Sequence, residues 1–346
     1  SSRICKKDVL KMFLTHTNSV YSEDIILLDH VPYPQYVHQI GNGGGFAVKQ
    51  GMRIMPGELI NYVLKGQYGA APGTYQFIQS LTQLNNCKVG LILAAGGNSW
   101  TGYLSNISRT NQYPEYKMPP LGGTMVHAGY IANRIGSFDY ISTDSSSCIS
   151  GHSAWSTARN MLILKQLDAV VVIATDNALS EEYLSIFGEH GLSKLVDEEN
   201  DPTITKFRLG QGCNISVFET RPELCNHLVL AKITDMHIAA ETHPNPLGIS
   251  NTGEGYKKVI NMVDTNDINF VKMHSTFSAD NKIEEKIIKD KFGDIKLINY
   301  KLRIGHTMGA STAIETALAI QEESGKFLSL GAGMGNVFSS AVVEIL

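Results

Sequence analysis

An α/β fold with buried sheets is what this sequence predicts, on two observations. Apolar, β-branched runs of strand length recur along the chain, and stretches with helical spacing of apolar residues lie between many of them. Runs such as "DAVVVIAT" are near-continuous in valine and isoleucine, the pattern of a strand covered on both faces.

In chain order the predicted strands are 88–96 (KVGLILAAG), 139–143 (DYIST), 168–175 (DAVVVIAT), 213–220 (CNISVFET), 228–238 (LVLAKITDMHI), 269–276 (NFVKMHST) and 339–346 (SSAVVEIL). Helical patterns occupy 154–167 (AWSTARNMLILKQL), 254–263 (EGYKKVINMV), 281–292 (NKIEEKIIKDKF) and 310–323 (ASTAIETALAIQEE). Glycine-rich turns are expected at Gly41–Gly45, Gly96–Gly97 and Gly331–Gly335. The "ETRPELCNHL" stretch, polar and proline-containing between two buried-looking strands, marks a boundary. It divides the chain into an N-terminal half, 1–226, and a C-terminal half, 227–346. The first hundred residues are the least legible. "GNGGGF" at 41–46 lacks the GxxxxGK[ST] pattern and a clear preceding strand, so it reads as a flexible turn, not a phosphate loop.

Bulk properties narrow the function. At 346 residues the chain can build a substantial core, and 43% hydrophobic with 18% charged residues is ordinary globular composition. A net charge of −4 offers no global basic field for nucleic acid. No apolar run is long enough to span a bilayer, and the first residues lack the apolar core of a secretory signal, so a soluble cytoplasmic protein is expected. Cys5, Cys87, Cys148, Cys213 and Cys225 are odd in number and never spaced as CxxC. Neither a disulfide framework nor a zinc site is expected of them.

One cysteine differs in context. Cys148 lies in "STDSSSCISGHSAW", after the strand 139–143 and before a helix. A thiol there sits at the positive end of the helix macrodipole, which favours thiolate and lowers the pKa by roughly one to several units. Ser145, Ser146, Ser147, Ser150 and Gly151 leave room for a substrate, and the Cys148 N–H can serve an oxyanion, a layout that suits covalent acyl transfer. Two further segments put histidines at turns: "KMHSTFSADNKIEEKI" carries His274 at a strand end, and "NYKLRIGHTMGASTAIE" holds Lys301, His306 and Glu315 together. His152, one helical turn after Cys148, reads as packing or helix surface, not as its partner.

These segments resemble the β-ketoacyl synthases. "KLRIGHTMGASTAIE" is similar to that family's K-x-x-x-G-H-x-x-G-A-x-x-x-x-E, "HSTFSADNKIE" to its H-G-T-G-T…D-x-I-E, and "DSSSCISG" to its active-cysteine turn. "FRLGQGCNISVFE", "DMHIAAETHPNPLG" and "GAGMGN" resemble its LGEGAG strand, its region before the first histidine and its C-terminal glycine-rich loop. The resemblance runs from about residue 88 to the C-terminus, with cysteine, histidine and histidine in the family's order.

The resemblance implies the thiolase-like fold, two similar α/β halves packed as layered α-β-α-β-α, the first half with the cysteine and the second with the histidines. It implies an acyltransferase of fatty-acid or polyketide-like biosynthesis. Cys148 takes an acyl group from acyl carrier protein or coenzyme A, and a decarboxylative Claisen condensation with a malonyl-type thioester follows. His274 and His306 would donate to the extender's thioester carbonyl, with Lys301 organising them and Glu315 as its charge partner. The Cys148 N–H and that of Ala332, in the loop with Gly331 and Gly333, would form a second oxyanion hole, and Thr276 and Ser278 would hold the pantetheine arm. No metal and no cofactor beyond carrier-borne phosphopantetheine is implied. The expected partners are acyl carrier protein and either a second copy in a homodimer or a related subunit in a heterodimer.

The chain departs from the pattern in places. Ser275 and Phe277 stand where HGTGT has glycines, Gln211 where the family strand has glutamate, and Ala332 where many elongating members have a gating phenylalanine. A thiolase is disfavoured, because its second catalytic cysteine in a C-terminal CxG motif is absent. The alternatives are a non-elongating acyltransferase passing the acyl group to another acceptor, a non-catalytic partner subunit of a heterodimer, and a cysteine hydrolase.

Overall fold

The computed structural model describes residues 12–21, 56–66, 70, 72–96, 124–178, 187, 206, 209–220, 228–245, 249–276 and 281–346. Gly41–Gly45, Gly97, Ser278, Cys5, Cys225 and the 226/227 boundary lie outside them.

The strands are β1 (Met12–Tyr21), β2 (Val89–Ala94), β3 (Tyr140–Asp144), β4 (Ala169–Asn177), β5 (Gln211–Glu219), β6 (Ala231–Ala240), β7 (Phe270–Lys272), β8 (Lys296–Ile298), β9 (Lys326–Gly333) and β10 (Val337–Ile345). The helices are α1 (Pro56–Lys65), α2 (Thr74–Thr82), α3 (Thr124–Ile135), α4 (Ser150–Ile163), α5 (Glu254–Asn261), α6 (Asn281–Phe292), α7 (Lys301–Ile304) and α8 (Ser311–Glu322). The seven predicted strands are present. β1, β8 and β9 were not foreseen, nor were helices α1, α2, α3 and α7. β9 hides in "KFLSLGAG", because glycines at its end read as a turn. Their use is steric: a Cβ on Gly331 would stand 2.5 Å from Ser339 Oγ and 2.7 Å from Thr312. Among the described residues no helix is long and apolar enough to cross a membrane.

The strands form a mixed sheet in the order β3-β2-β4-β5-β1-β6-β10-β9-β7-β8. Its two ends repeat each other. Adding five to each strand of 3-2-4-5-1 gives 8-7-9-10-6, the second half read from its outer edge. Within each half the outer three strands are parallel and the inner ones antiparallel, and β1 meets β6 through the short register Met12↔Ile233 to Leu14↔Ala231.

Strand alternation sorts side chains into layers. On β4, Val170, Val172 and Ala174 face a central core shared by both halves, while Ala169, Val171 and Ile173 face an outer core with α1, α2 and α3. On β9, Phe327 joins the central core, and Leu328, Leu330 and Ala332 face a second outer core with α5 and α6. Helices α4 and α8 fill the centre, so the layers run helix, sheet, helix, sheet, helix. Ala154, Ala158 and Leu162 repeat every fourth residue on α4, and Trp155 beside them meets Phe218 edge-on at 5.0 Å. The first ten residues of α8, Ser311 to Ile320, are all buried. The two helices cross where a Cβ on Gly151 would stand 2.8 Å from the Ala313 backbone nitrogen.

Candidate active site

The site forms where the N-termini of α4 and α8 meet. Each is preceded by a short 3₁₀ turn, Ser147–Ile149 before α4 and Met308–Ala310 before α8. Ser147 (φ 55°) and Met308 (φ 48°) both adopt left-handed backbone conformations, as do Ser275 (φ 29°) and Asn336 (φ 58°) nearby. Strained residues at turns are held only where surrounding structure fixes them. Ser275 holds a positive φ where the family pattern has glycine, a conformation glycine adopts without strain.

Cys148 is 4% exposed, and its Sγ lies 3.1 Å from His306 Nε2. His306 is held from behind. Its carbonyl accepts from Gly210 N–H at 2.9 Å, its residue bridges Leu209, and its Nδ1 lies 3.1 Å from Ser311 Oγ. The "LGQG" segment at the start of β5 therefore seats this histidine. His274, at the end of β7, sets its ring at 84° to His306 with centroids 5.6 Å apart. Its Nδ1 is buried with no hydrogen-bond partner among the described residues.

Behind the histidines is a charged cluster. Glu315 Oε1 accepts from Lys301 Nζ at 2.5 Å and from Ser311 Oγ at 2.6 Å, and its Oε2 from Lys272 Nζ at 3.1 Å. Lys301 also donates to the His274 carbonyl at 2.6 Å, and Lys272 to the Leu330 carbonyl at 2.7 Å. Glu284 on α6 accepts the N–H groups of His274 (2.7 Å) and Ser275 (2.8 Å), fixing the turn that presents His274. Asp176, ending β4, accepts from Gly96 and Gly309, each at 2.9 Å, and so ties one half to the turn before α8.

Burial dominates the protonation states. It pushes the Cys148 thiol up to about 11, against the lowering effects of Ser147 and Lys301. The expected dipole-lowered thiol is thus reversed, because the sulfur is out of water. Burial, reinforced by Lys301, lowers His306 to about 3 and holds His274 well below the usual imidazole range. Burial alone would raise the Glu315 carboxyl, but Lys301, Lys272 and the Ser311 hydroxyl hold it below its ordinary value. Burial lowers Lys272, with Glu315 opposing, and raises Glu284 against the pull of its two backbone donors.

The structure thus brings Cys148, His274, His306, Lys301 and Glu315 together. Gly333 lies against the cysteine, where a Cβ would stand 3.3 Å from the Cys148 backbone nitrogen. Ala332 turns its methyl into the outer core, opposite Phe338 in the β9–β10 register. Thr276 is half-buried at the end of the His274 turn. His152 is fully buried and takes the packing role expected of it. Its ring meets Ser339 at 2.9 Å and Thr316 and Ser329 at 3.2 Å. Sequence reasoning missed Lys272, Ser311 and Asp176, and it named Ser147 only as a small neighbour of the thiol and Glu284 only as the end of the D-x-I-E-like segment. Lys272 had a signal, a charge inside an apolar strand, and so did Ser311, four residues before Glu315 on a helix. Ser147 donates toward Cys148 Sγ at 3.7 Å and accepts from Met334 N–H at 3.2 Å. Among the described residues no group of three or more His, Cys, Asp or Glu side chains is arranged to hold a metal ion.

These layers and this sheet order are the thiolase-like fold, in a divergent, ketosynthase-like form. A chain of the solved type II polyketide synthase acyl-carrier protein in complex with its ketosynthase superposes with TM-score 0.73 at 15% identity, covering 97% of this chain and 99% of that one. A beta-ketoacyl synthase from Burkholderia phymatum gives 0.72 at 12% identity over 97% and 99%. A ketosynthase in complex with its chain length factor from Xenorhabdus doucetiae gives 0.73 at 14% identity over 97% and 98%. No protein-family profile matches the sequence, and no curated protein matches it.

Proposed function

We propose that the protein is a β-ketoacyl synthase-type acyltransferase with Cys148 as its nucleophile. The observation that carries this is the 3.1 Å contact between Cys148 Sγ and His306 Nε2, beside a second buried histidine, His274, whose ring centroid lies 5.6 Å from that of His306. In the reaction the thiol proton passes to His306 Nε2 and Sγ bonds to the acyl carbon. The carrier thiolate leaves and is protonated by solvent. A malonyl-type thioester then loses carbon dioxide, and His274 and the protonated His306 donate to its enolate oxygen. The enolate carbon attacks the acyl carbon. Cys148 departs as thiolate and takes its proton back from His306, so charge and protons close over the cycle. The Cys148 N–H and the 331–333 backbone serve the second oxyanion, and Thr276 and Ser278 the pantetheine arm.

The halves 1–226 and 227–346 supply nucleophile and histidines respectively. We assign acyl carrier protein as the donor, and a second copy or a related subunit as the assembly partner, in the cytoplasm. For the carrier and the related subunit, the support is that solved structures of this fold are described as complexes with an acyl-carrier protein and with a chain length factor. The test is incubation with coenzyme A and carrier-bound acyl donors, reading added mass on Cys148, then addition of malonyl-carrier. Carbon dioxide release with a two-carbon extension is expected. Acylation without decarboxylation would replace condensation by transfer to another acceptor. No acylation by any donor would overturn the enzyme reading in favour of a non-catalytic partner subunit.

A further inference from the structure

We propose that Ser311 is a positioning residue that keeps the proton of His306 on Nδ1, so that Nε2 faces Cys148 as a base. This rests on the nucleophilic role proposed for Cys148, and on no later step of the condensation.

Four groups form one continuous chain: Cys148 Sγ to His306 Nε2 at 3.1 Å, Nδ1 to Ser311 Oγ at 3.1 Å, and Oγ to Glu315 Oε1 at 2.6 Å. Its direction is fixed from the far end. Glu315 is held as a carboxylate by Lys301 and Lys272, and a carboxylate can only accept. The single Ser311 proton therefore goes to Glu315, and Oγ offers Nδ1 a lone pair. A neutral imidazole has one N–H, so that proton sits on Nδ1 and Nε2 is left bare. The thiol, 3.1 Å away, donates into it. When Sγ bonds to an electrophilic carbon, its proton moves to Nε2. The imidazolium so formed points its Nδ1–H through the hydroxyl at Glu315, which offsets the new charge. The N-terminus of α4 just after Cys148 does not replace this device, since burial pushes the thiol up to about 11. The charged groups facing the pair are Asp176 on β4, Lys272 on β7, Lys301 on α7 and Glu315 on α8, with neutral His274 alongside.

The test is alkylation of Cys148 by iodoacetamide, followed by peptide mass spectrometry from about pH 5 to about pH 9, with no acyl donor present. Base-assisted attack predicts a nearly level rate across that range for the wild type. Ser311→Ala should instead rise by about tenfold per pH unit, following the thiolate fraction. Ser311→Thr should restore the level profile, which a packing defect alone would not explain. A wild-type rate that climbs with pH, or a Ser311→Ala profile matching the wild type, would overturn the proposal. Should the variant fail to fold or the reagent not reach the thiol, ¹⁵N-histidine NMR of the wild type decides. A protonated Nδ1 and bare Nε2 on His306 are expected, and the reverse tautomer contradicts the proposal. Because no acyl chemistry is involved, loss of the condensation reading would leave this result standing.

Discussion

Both halves enter their central helix from a strand through a 3₁₀ turn, with α7 inserted between strand and turn in the second half, and load the joint differently. Before α4 the joint carries Cys148 among serines, and its helix contributes His152, whose ring nitrogens meet the hydroxyls of Ser339, Thr316 and Ser329. Before α8 it carries His306, and its helix contributes Glu315, tied to two buried lysines. The first polar network is neutral and the second ionic. A repeated scaffold thus delivers two helix N-termini to one point, one bearing the thiol and the other the imidazole proposed to take its proton.

Removing the anchor of each network should expose the difference. Glu315→Ala leaves Lys272 and Lys301 without their shared counter-charge in a dry interior. We expect a loss of about 3–5 kcal/mol in a urea melt, together with loss of Cys148 acylation. His152→Ala leaves a cavity and unpaired hydroxyls but no unpaired charge, and should cost about 2–3 kcal/mol. Its acylation rate, normalised to folded protein, should stay within about threefold of wild type. If His152→Ala abolished acylation while Glu315→Ala spared it, the division between the halves would be reversed.

Acid should act through histidines before carboxylates. His152, His274 and His306 are held neutral by burial, with Lys301 adding to each, and His306 titrates at about 3. The unfolded chain binds those protons near the ordinary value of about 6.5, so below that pH it is the unfolded state that gains. Stability should therefore fall from about pH 6.5 downward, by up to about 1.4 kcal/mol per pH unit for each histidine. His152→Gln should remove about a third of that slope in thermal melts at stepped pH. Glu315, whose folded value is lowered, adds its own loss only as pH falls below about 4.3. The smallest effect is expected at Ser275→Gly, which relieves a positive φ and should raise stability by about 1 kcal/mol. A clear drop in melting temperature would show that the serine side chain contributes more than its strain costs.

Much of this was legible in the sequence. The apolar strands and the helix periods of α4, α5, α6 and α8 came from spacing alone, Cys148 and His274 stood out at turns after predicted strands, and the resemblance to β-ketoacyl synthases joined them to His306, Lys301 and Glu315. What escaped did so for physical reasons. β9 reads as a turn because Gly331 and Gly333 are chosen for close approach and not for strand propensity. β8 is three residues long, too short to show a period. Lys272 stands as a charge inside an apolar strand, but its partner Glu315 lies 43 residues away and only the fold brings the two together. The thiol's protonation was misjudged because a helix terminus is visible in sequence and desolvation is not.

The central claim is that Cys148 is a nucleophile whose proton is taken by His306. It is tested most directly by quantifying the acyl adduct on the Cys148 peptide after exposure to a panel of acyl thioesters, in wild type, Cys148→Ala and His306→Ala. A donor-dependent mass on Cys148 in the wild type is predicted, absent from Cys148→Ala and at least about a hundredfold slower to form in His306→Ala. An adduct that forms equally fast without His306, or no adduct from any donor, would contradict it.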